Sequence, residues 1–429
     1  MMIKLTDIEK KVLQGDSGRL QQKALENIIS YAEALGAEEL CKVTKATLGL
    51  GAQPYLNHIQ SDDYNKIFSR VYMCTDEVLD ISHHKFSASC FCMTCTENCD
   101  TEDYEEVGLT QEYFDKNGRF LEFARAAGVS MASTCAPYLL GWLPLKGEHF
   151  VTTESSNAMF CNSLLGACGN PDGVEAAAWS AICGRTPKWG LHCAENRYAT
   201  HEFKIQCPAQ SATDWDLIGY TIGRMLPAGG IPVITGDFDY PTTVEVKQLF
   251  ASIATTSGAV MCHILGMTPE GQTMAMATGG HGVKESFQVS EEEYRKSLNV
   301  LCDAAPGPVD FISLGCPHYT LEEIRDVADY LCDKKIMAGV RLYIWTAYPL
   351  KEMARASGYL SIIENAGGRI MTSSCPIMVG ESIMKNSRGV ALDGAKQAHY
   401  IRSMTDVPVY FGDKYRCLDT ALTGKWDLR

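Results

Sequence analysis

Apolar positions change their spacing several times along this chain, and each change marks an element. Over residues 4–36 they recur every three or four positions, in LTDIEKKVLQG and then SGRLQQKALENIISYAEALG. That spacing predicts helices halted at Gly36, a natural C-terminal stop. VTKATLGLGAQPYL (43–56) predicts a short strand running into a glycine-rich loop. A helix is expected over 110–128 (QEYFDKNGRFLEFARAAG), feeding a strand that ends at Cys135. From Asp214 to Pro269 the chain alternates: IGYTIGRMLPAGG reads as helix, IPVITGDF as strand, VEVKQLFASIATTSG as helix, AVMCHILGMTPE as strand and turn. The alternation continues through PVDFISLGCPH, LEEIRDVADYLCD, KIMAGVRLYIWT, LKEMARASGYLSIIENAGG and RIMTSSCPIM. LDGAKQAHYI, VPVYFGD and CLDTALTGKW carry it toward the C-terminus. Strands alternating with helices predict an α/β protein built on parallel sheets. There is no tandem repeat or low-complexity linker, so the expected subdomains pack closely together.

Within that pattern, ISLGCPHYT (312–320) reads as a buried strand ending in a Gly-Cys-Pro turn. Thr320 is placed to cap the next helix, with Glu323 closing a capping box. A cysteine at such a strand end lies where open α/β sheets place ligands. Cys135 in STCAPYLLG and Cys375 in IMTSSCPIM have similar settings, each at the end of an apolar run and beside a proline or one residue from it. Cys135, Cys316 and Cys375 therefore form a candidate three-thiolate metal site. The alternative is three packed cysteines, because free cysteine is among the most buried residue types.

Other stretches carry candidate chemistry. Cys90, Cys92, Cys95 and Cys99 fall within ten residues, a second metal site or simply a cysteine-rich loop or strand. The polar run Glu154-Ser155-Ser156-Asn157 opens a helix, where it binds an anion or caps the helix. His192, Glu195, Asn196 and Arg197 belong either to a site or to a solvated turn, and Lys396 and His399 either bind a carboxylate or merely sit on a helix. Phosphate-loop, H-E-x-x-H and strand-linked G-x-G-x-x-G motifs are all missing.

Composition narrows the class. The 429 residues suffice for two or three α/β units, and 46% hydrophobic with 21% charged residues is ordinary for a folded protein. A net charge of −14 argues against nucleic acid and against anionic membranes as partners. The N-terminus lacks the uninterrupted apolar core of a signal peptide, and the most apolar run, Ile218 to Ile234, is interrupted by Arg224, prolines and glycines. Eighteen cysteines without a secretory signal point to a reducing cytoplasm and to thiol or metal chemistry rather than disulfides.

Six blocks together resemble the aconitase X family: TCAPYL (134–139), SSNAMFCNSLLGA (155–167), GRTPKWGLHCAENR (184–197), SGAVMCHILGMTPE (257–270), SLGCPH (313–318) and AKQAHY (395–400). The resemblance implies an aconitase-like fold, with α/β subdomains around a central cluster cleft and the whole of 1–429 as the large catalytic subunit. A swivelling small domain is expected on a separate chain, since the sequence ends at GKWDLR. Family members are iron–sulfur hydro-lyases, which implies a 4Fe-4S or 2Fe-2S cluster held by Cys135, Cys316 and Cys375. Substrate contacts carried over from the family fall at Lys45 and Ala46, Thr96 and Asn98, Ser156 and Asn157, and Gly394 and Lys396. The general base is expected from a serine of the small subunit.

The sequence also departs from the family's pattern. Cys168-Gly169-Asn170-Pro171 stands where many relatives carry Arg-Thr-Asn-Arg, Ser155-Ser156-Asn157 replaces Glu-Ser-Asn, and Leu392-Asp393-Gly394-Ala395-Lys396 replaces Thr-Asn-Ser-x-Lys. Two guanidiniums suited to gripping phosphate are thereby missing. The implied reaction is dehydration of a small hydroxy acid, foremost cis-3-hydroxy-L-proline, with mevalonate 5-phosphate as the alternative. A reading of another class is a non-catalytic metal-binding scaffold that kept the fold.

Overall fold

Three sheets, the first mixed and the other two parallel, account for most of the molecule in chain order. In the computed structural model, residues 3–50, 61–82, 86–93, 103–384 and 386–427 are described. The chain opens with helices Asp7–Leu13 and Arg19–Leu35, the first held by a capping box between Thr6 and Glu9. Gly36 ends the second in the left-handed conformation, as its position predicts. Leu20, Ala24, Leu25, Ile28 and Ala32, spaced at helical intervals, form its buried face.

The first sheet centres on β1 (Leu40–Leu48). It pairs in parallel with β2 (Ser89–Cys92) and β3 (His149–Val151), and antiparallel with β4 (Arg185–Pro187). The second comprises β5 (His201–Gln206), β6 (Pro232–Gly236), β7 (His263–Ile264) and β8 (Glu285–Ser290), all parallel, in the order β7-β6-β5-β8. Helices Ala212–Met225 and Thr243–Ser257 pack together beside it. Gly219 allows their close approach: a Cβ there would lie 2.3 Å from the Leu249 carbonyl oxygen.

The short β9 (Gly307–Pro308) precedes the third sheet, made of β10 (Phe311–Tyr319), β11 (Arg341–Thr346), β12 (Arg369–Thr372), β13 (Val390–Leu392) and β14 (Val409–Phe411); β15 (Lys425–Trp426) pairs back with β9. All nine residues of β10 are buried, which explains its unbroken apolar run, since helices cover both faces of a parallel sheet. The strand order is β12-β11-β10-β13-β14. The winding therefore reverses between β10 and β13, and at such a reversal the two flanking loops diverge and leave a crevice at the carboxyl edge.

Two sequence expectations are corrected. No strand leads into Cys135; a single bridge pairs Ser130 with Phe91, after which Ser133 turns the chain at φ 44°. Nor does β10 stop at Gly-Cys-Pro. It continues to Tyr319, but its pairing with β11 skips between Leu314 and Tyr319, so Cys316 lies in an irregular stretch freed from regular pairing. The capping box of Thr320 and Glu323 forms as expected. Among the described residues no helix is long and apolar enough to cross a membrane.

Candidate active site

Cys316 occupies the crevice at the reversal of the third sheet, and Gly394, just beyond β13, packs directly against it. A Cβ on Gly394 would lie 2.5 Å from the Cys316 carbonyl oxygen, so only glycine permits this approach. Cys375 follows β12 and leads into the helix Pro376–Met384; its carbonyl accepts from the amides of Met378 and Val379. Cys135 precedes the short turn Pro137–Leu140. These three cysteines, 181 and 59 residues apart in sequence, come together: Cys316 interacts electrostatically with both other thiols, and Cys135 with Cys375.

One residue clips the three loops to each other. His318 Nδ1 lies 3.0 Å from Thr134 Oγ1, next to Cys135, while Nε2 lies 3.0 Å from the carbonyl oxygen of Ser374, next to Cys375. A carbonyl only accepts, so Nε2 carries the proton and Nδ1 accepts from the threonine hydroxyl. The His318 amide also donates to Cys135 Sγ at 3.4 Å. Burial holds this imidazole down to about 4, keeping it neutral. Beneath it, the fully buried Lys247 ammonium donates to the carbonyls of Pro317 (3.3 Å) and His318 (3.0 Å) and to Glu323 (2.7 Å).

Charge at the site comes from Lys396 and Glu154. Lys396 Nζ lies 2.5 Å from Glu154 Oε1, joining the third sheet to the first. Glu154 also caps the helix Ser155–Ser163, accepting from the Ser156 amide (3.3 Å) and hydroxyl (2.9 Å). Burial raises the Glu154 pKa, but the neighbouring ammonium and these hydrogen bonds outweigh it and leave the carboxylate below its usual range. For Lys396, burial works against the charge, and Glu154 together with Cys316 reverses that, so the amine stays protonated. Burial raises the thiols, Cys135 to about 12 and Cys375 to about 11, and Cys316 well above its ordinary value. Lys396 is the cation that lowers all three, and bound metal ions would do so more strongly.

The remaining candidates divide. Ala46 is buried, and its carbonyl accepts from the Trp142 indole; Lys45 neighbours it on β1, paired with Phe150 of β3. Asn157 is fully buried, donating to Thr152 Oγ1 and accepting from the Cys161 thiol, and the Ser156 hydroxyl is engaged by Glu154. Thr96, Asn98, Cys95 and Cys99 lie outside the described residues, whereas Cys90 and Cys92 are buried on β2. Arg197 is buried in an ion pair with Glu270, and His399 hydrogen-bonds Tyr220, so neither serves this cleft.

His318, Lys247 and two aspartates are missed from sequence. Asp393 accepts from the Gly315 amide and the Tyr319 hydroxyl; Asp216 accepts from the Ala395 amide and the Ser252 hydroxyl. Asp393 braces the residues on either side of Cys316, and Asp216 braces the start of the helix that carries Lys396. Burial raises Asp393 to about 6 and Asp216 to about 8. The available signals are the histidine inside SLGCPH and the aspartate inside LDGAK.

Comparison with known proteins accounts for nearly the whole chain. Family models described as the first, second and third domains of aconitase X match residues 2–195, 199–299 and 309–423 respectively. The phosphomevalonate dehydratase large subunit of Methanothermobacter thermautotrophicus is 28% identical over 415 residues, covering 94% of this chain and 95% of that one. Cis-3-hydroxy-L-proline dehydratase of Hypocrea jecorina is 33% identical over 306 residues, 69% of this chain but 50% of that protein. The crystal structure of Thermococcus kodakaraensis aconitase X (holo-form) matches with TM-score 0.81 at 28% identity, covering 98% of this chain and all (100%) of that one.

Proposed function

The chain belongs to the aconitase X family and is a hydro-lyase of that family; on that footing we propose that it is the cluster-bearing large subunit of a two-chain dehydratase acting on a small 3-hydroxy acid, foremost cis-3-hydroxy-L-proline. The carrying observation is the convergence of Cys135, Cys316 and Cys375 around the Lys396 ammonium. The donor set fits an iron–sulfur cluster, since cysteine thiolates are the ligands such clusters take. The His318 amide is already aimed at a sulfur, as hydrogen bonds that tune cluster thiolates are.

When bound, a cluster with one iron free of protein thiolate supplies a Lewis acid that makes hydroxide a better leaving group. The chain's own residues do the rest. Lys396, held protonated, offers its positive charge to the substrate carboxylate, and that charge favours removal of the proton α to the carboxylate. Glu154 fixes the direction of the ammonium, and the helix-capping bonds of Ser156 fix Glu154. His318 keeps the three ligand loops in register. The base that takes the proton is assigned to the small subunit, a partner suggested by the "large subunit" names of the relatives that align over the full length.

Charge supports the first substrate. Lys396 is already balanced by Glu154, and Cys168-Gly169-Asn170-Pro171 stands where the family resemblance leads one to expect two arginines. A singly charged carboxylate suits such a site better than a phosphate dianion. The second reading, mevalonate 5-phosphate, draws on the full-length match to phosphomevalonate dehydratase large subunits. The deciding experiment purifies the chain anaerobically with a candidate small subunit, measures iron and acid-labile sulfide, and assays loss of water from both acids. Iron and sulfide near one cluster per chain, abolished by Cys316→Ser, with turnover of the hydroxyproline, is the expected result. Full iron in Cys316→Ser sinks the ligand set, and turnover of mevalonate 5-phosphate alone transfers the assignment to the second reading.

A further inference from the structure

A second group of metal-binding residues lies at the other end of the first sheet. Cys41 is the second residue of β1, His149 the first of β3, and His192 closes the single turn Gly190–His192 that follows β4. Strand register brings them together: Val43 pairs with His149, and Cys41 with Thr186. One ligand atom from each residue lies within 4.8 Å of the other two, and the two Nδ1 atoms are 3.1 Å apart. Thr47 meets Thr152, whose hydroxyl accepts from the Glu154 amide of the cleft, at the opposite, carboxyl end of the same strands. Cys41 and Thr47 are six positions apart on β1, about 20 Å at ~3.3 Å per residue. This group therefore stands apart from the three-thiol cleft.

We infer that Cys41, His149 and His192 bind one structural Zn2+ ion, with a neighbouring thiol, Cys193 or Cys168, completing a tetrahedron. The donors are of the right kind, since zinc takes thiolate sulfur and neutral imidazole nitrogen in closed four-coordinate sites. Two nitrogens about 2.0–2.1 Å from one tetrahedral ion stand roughly 3.3–3.4 Å apart, close to the observed separation. Cys168 bridges to His149 and Cys193 directly follows His192 in the chain, which puts two further thiols in the neighbourhood. A simple hydrogen bond between the histidines explains less: it uses one N–H and gives no reason for the Cys41 thiol to stand within 4.8 Å of both rings. Both imidazoles are kept neutral by burial, so their lone pairs are available. Binding deprotonates Cys41 and releases that proton to solvent. The ion would fasten the amino ends of β1 and β3 to the 186–193 turn.

The test uses the full chain. Wild type is equilibrated with one equivalent of Zn2+, desalted, and assayed for zinc, iron and sulfide together. One zinc per chain is expected, with Cys41→Ser and His192→Gln each weakening zinc binding at least tenfold while iron and sulfide stay unchanged. Cys135→Ser should lose iron yet keep zinc. Wild type that retains no zinc, or zinc that disappears with Cys135 rather than Cys41, overturns the assignment. Should the Cys41 and His192 variants fail to fold, Co2+ titration of the cluster-free Cys135→Ser chain decides. Tetrahedral visible bands with a thiolate charge-transfer band at one equivalent support the site, and their absence overturns it.

Discussion

Asp172 shows how much a single buried atom can set. Its Oδ1 accepts from the Tyr31 hydroxyl at 3.4 Å, while Oδ2 is buried without a partner. Burial raises this carboxyl from 3.8 to about 7. Between those values the folded chain keeps a proton that the unfolded chain has lost, so this group's contribution to stability falls as pH rises from 4 to 7. Asp172→Asn mimics the protonated form. Denaturant unfolding should show it equal to wild type near pH 4 and more stable at pH 8, by on the order of 2–4 kcal/mol at about 1.4 kcal/mol per tenfold in proton affinity. A pH-independent difference would refute this account. Gly394 makes the matching steric case. Gly394→Ala sets a methyl against the Cys316 backbone, and a shift there costs about 1–3 kcal/mol. Iron retained per chain should fall in that variant, which parallel metal and melting assays would reveal.

At the scale of elements, the turn after β10 is held by a neighbouring helix rather than by its own sheet. Lys247, on the helix Thr243–Ser257, satisfies two carbonyls of the Cys-Pro-His stretch and the Glu323 carboxylate that also closes the capping box. Lys247→Met removes all three bonds and strands a buried carboxylate, for a loss of about 3–5 kcal/mol. Calorimetry should record that loss together with reduced iron content; an unchanged iron content would show that the turn keeps its shape unaided. Much at this level is legible in sequence. The caps at Gly36 and Thr320, the helix over Gln111–Ala126 and the alternation of the second and third sheets follow from local spacing and side-chain chemistry. The strand expected before Cys135 fails because a run of small residues reads as strand by composition, whereas Ser133 breaks it at positive φ.

Across the whole molecule, ionic links among the described residues tie the segment 103–154 to the third sheet and its helices. One is Glu154 with Lys396; a second is Asp103, which accepts from Arg369 (2.6 Å) and from the buried Lys351 (3.3 Å). The Tyr343 hydroxyl reinforces the second link by donating to Glu106 at 2.8 Å. Asp103→Asn should destabilise the chain by about 3 kcal/mol, since a buried ammonium loses a counter-charge. Because both links hold the segment 103–154 against the third sheet and its helices, activity of the assembled enzyme should drop further than the melting temperature alone accounts for. Activity that tracks stability alone would show the two links to be independent.

The sequence by itself determined the class of the fold and the turns and caps, because strand–helix alternation and capping are local, and it singled out three cysteines as candidates, because each ends an apolar run beside a proline or one residue from it. The six family blocks added the reaction type. Which residues work beside those cysteines was decided only in three dimensions. The reversal of strand order between β10 and β13 opens the crevice, His318 clips three loops that are far apart in the chain, and Glu154 meets Lys396 across 242 positions. The Cys41–His149–His192 group was likewise invisible, since strand register rather than spacing assembles it. The physical reason is common to all of them. A side chain's partners are set by which elements a sheet places side by side, and sequence distance carries no record of that.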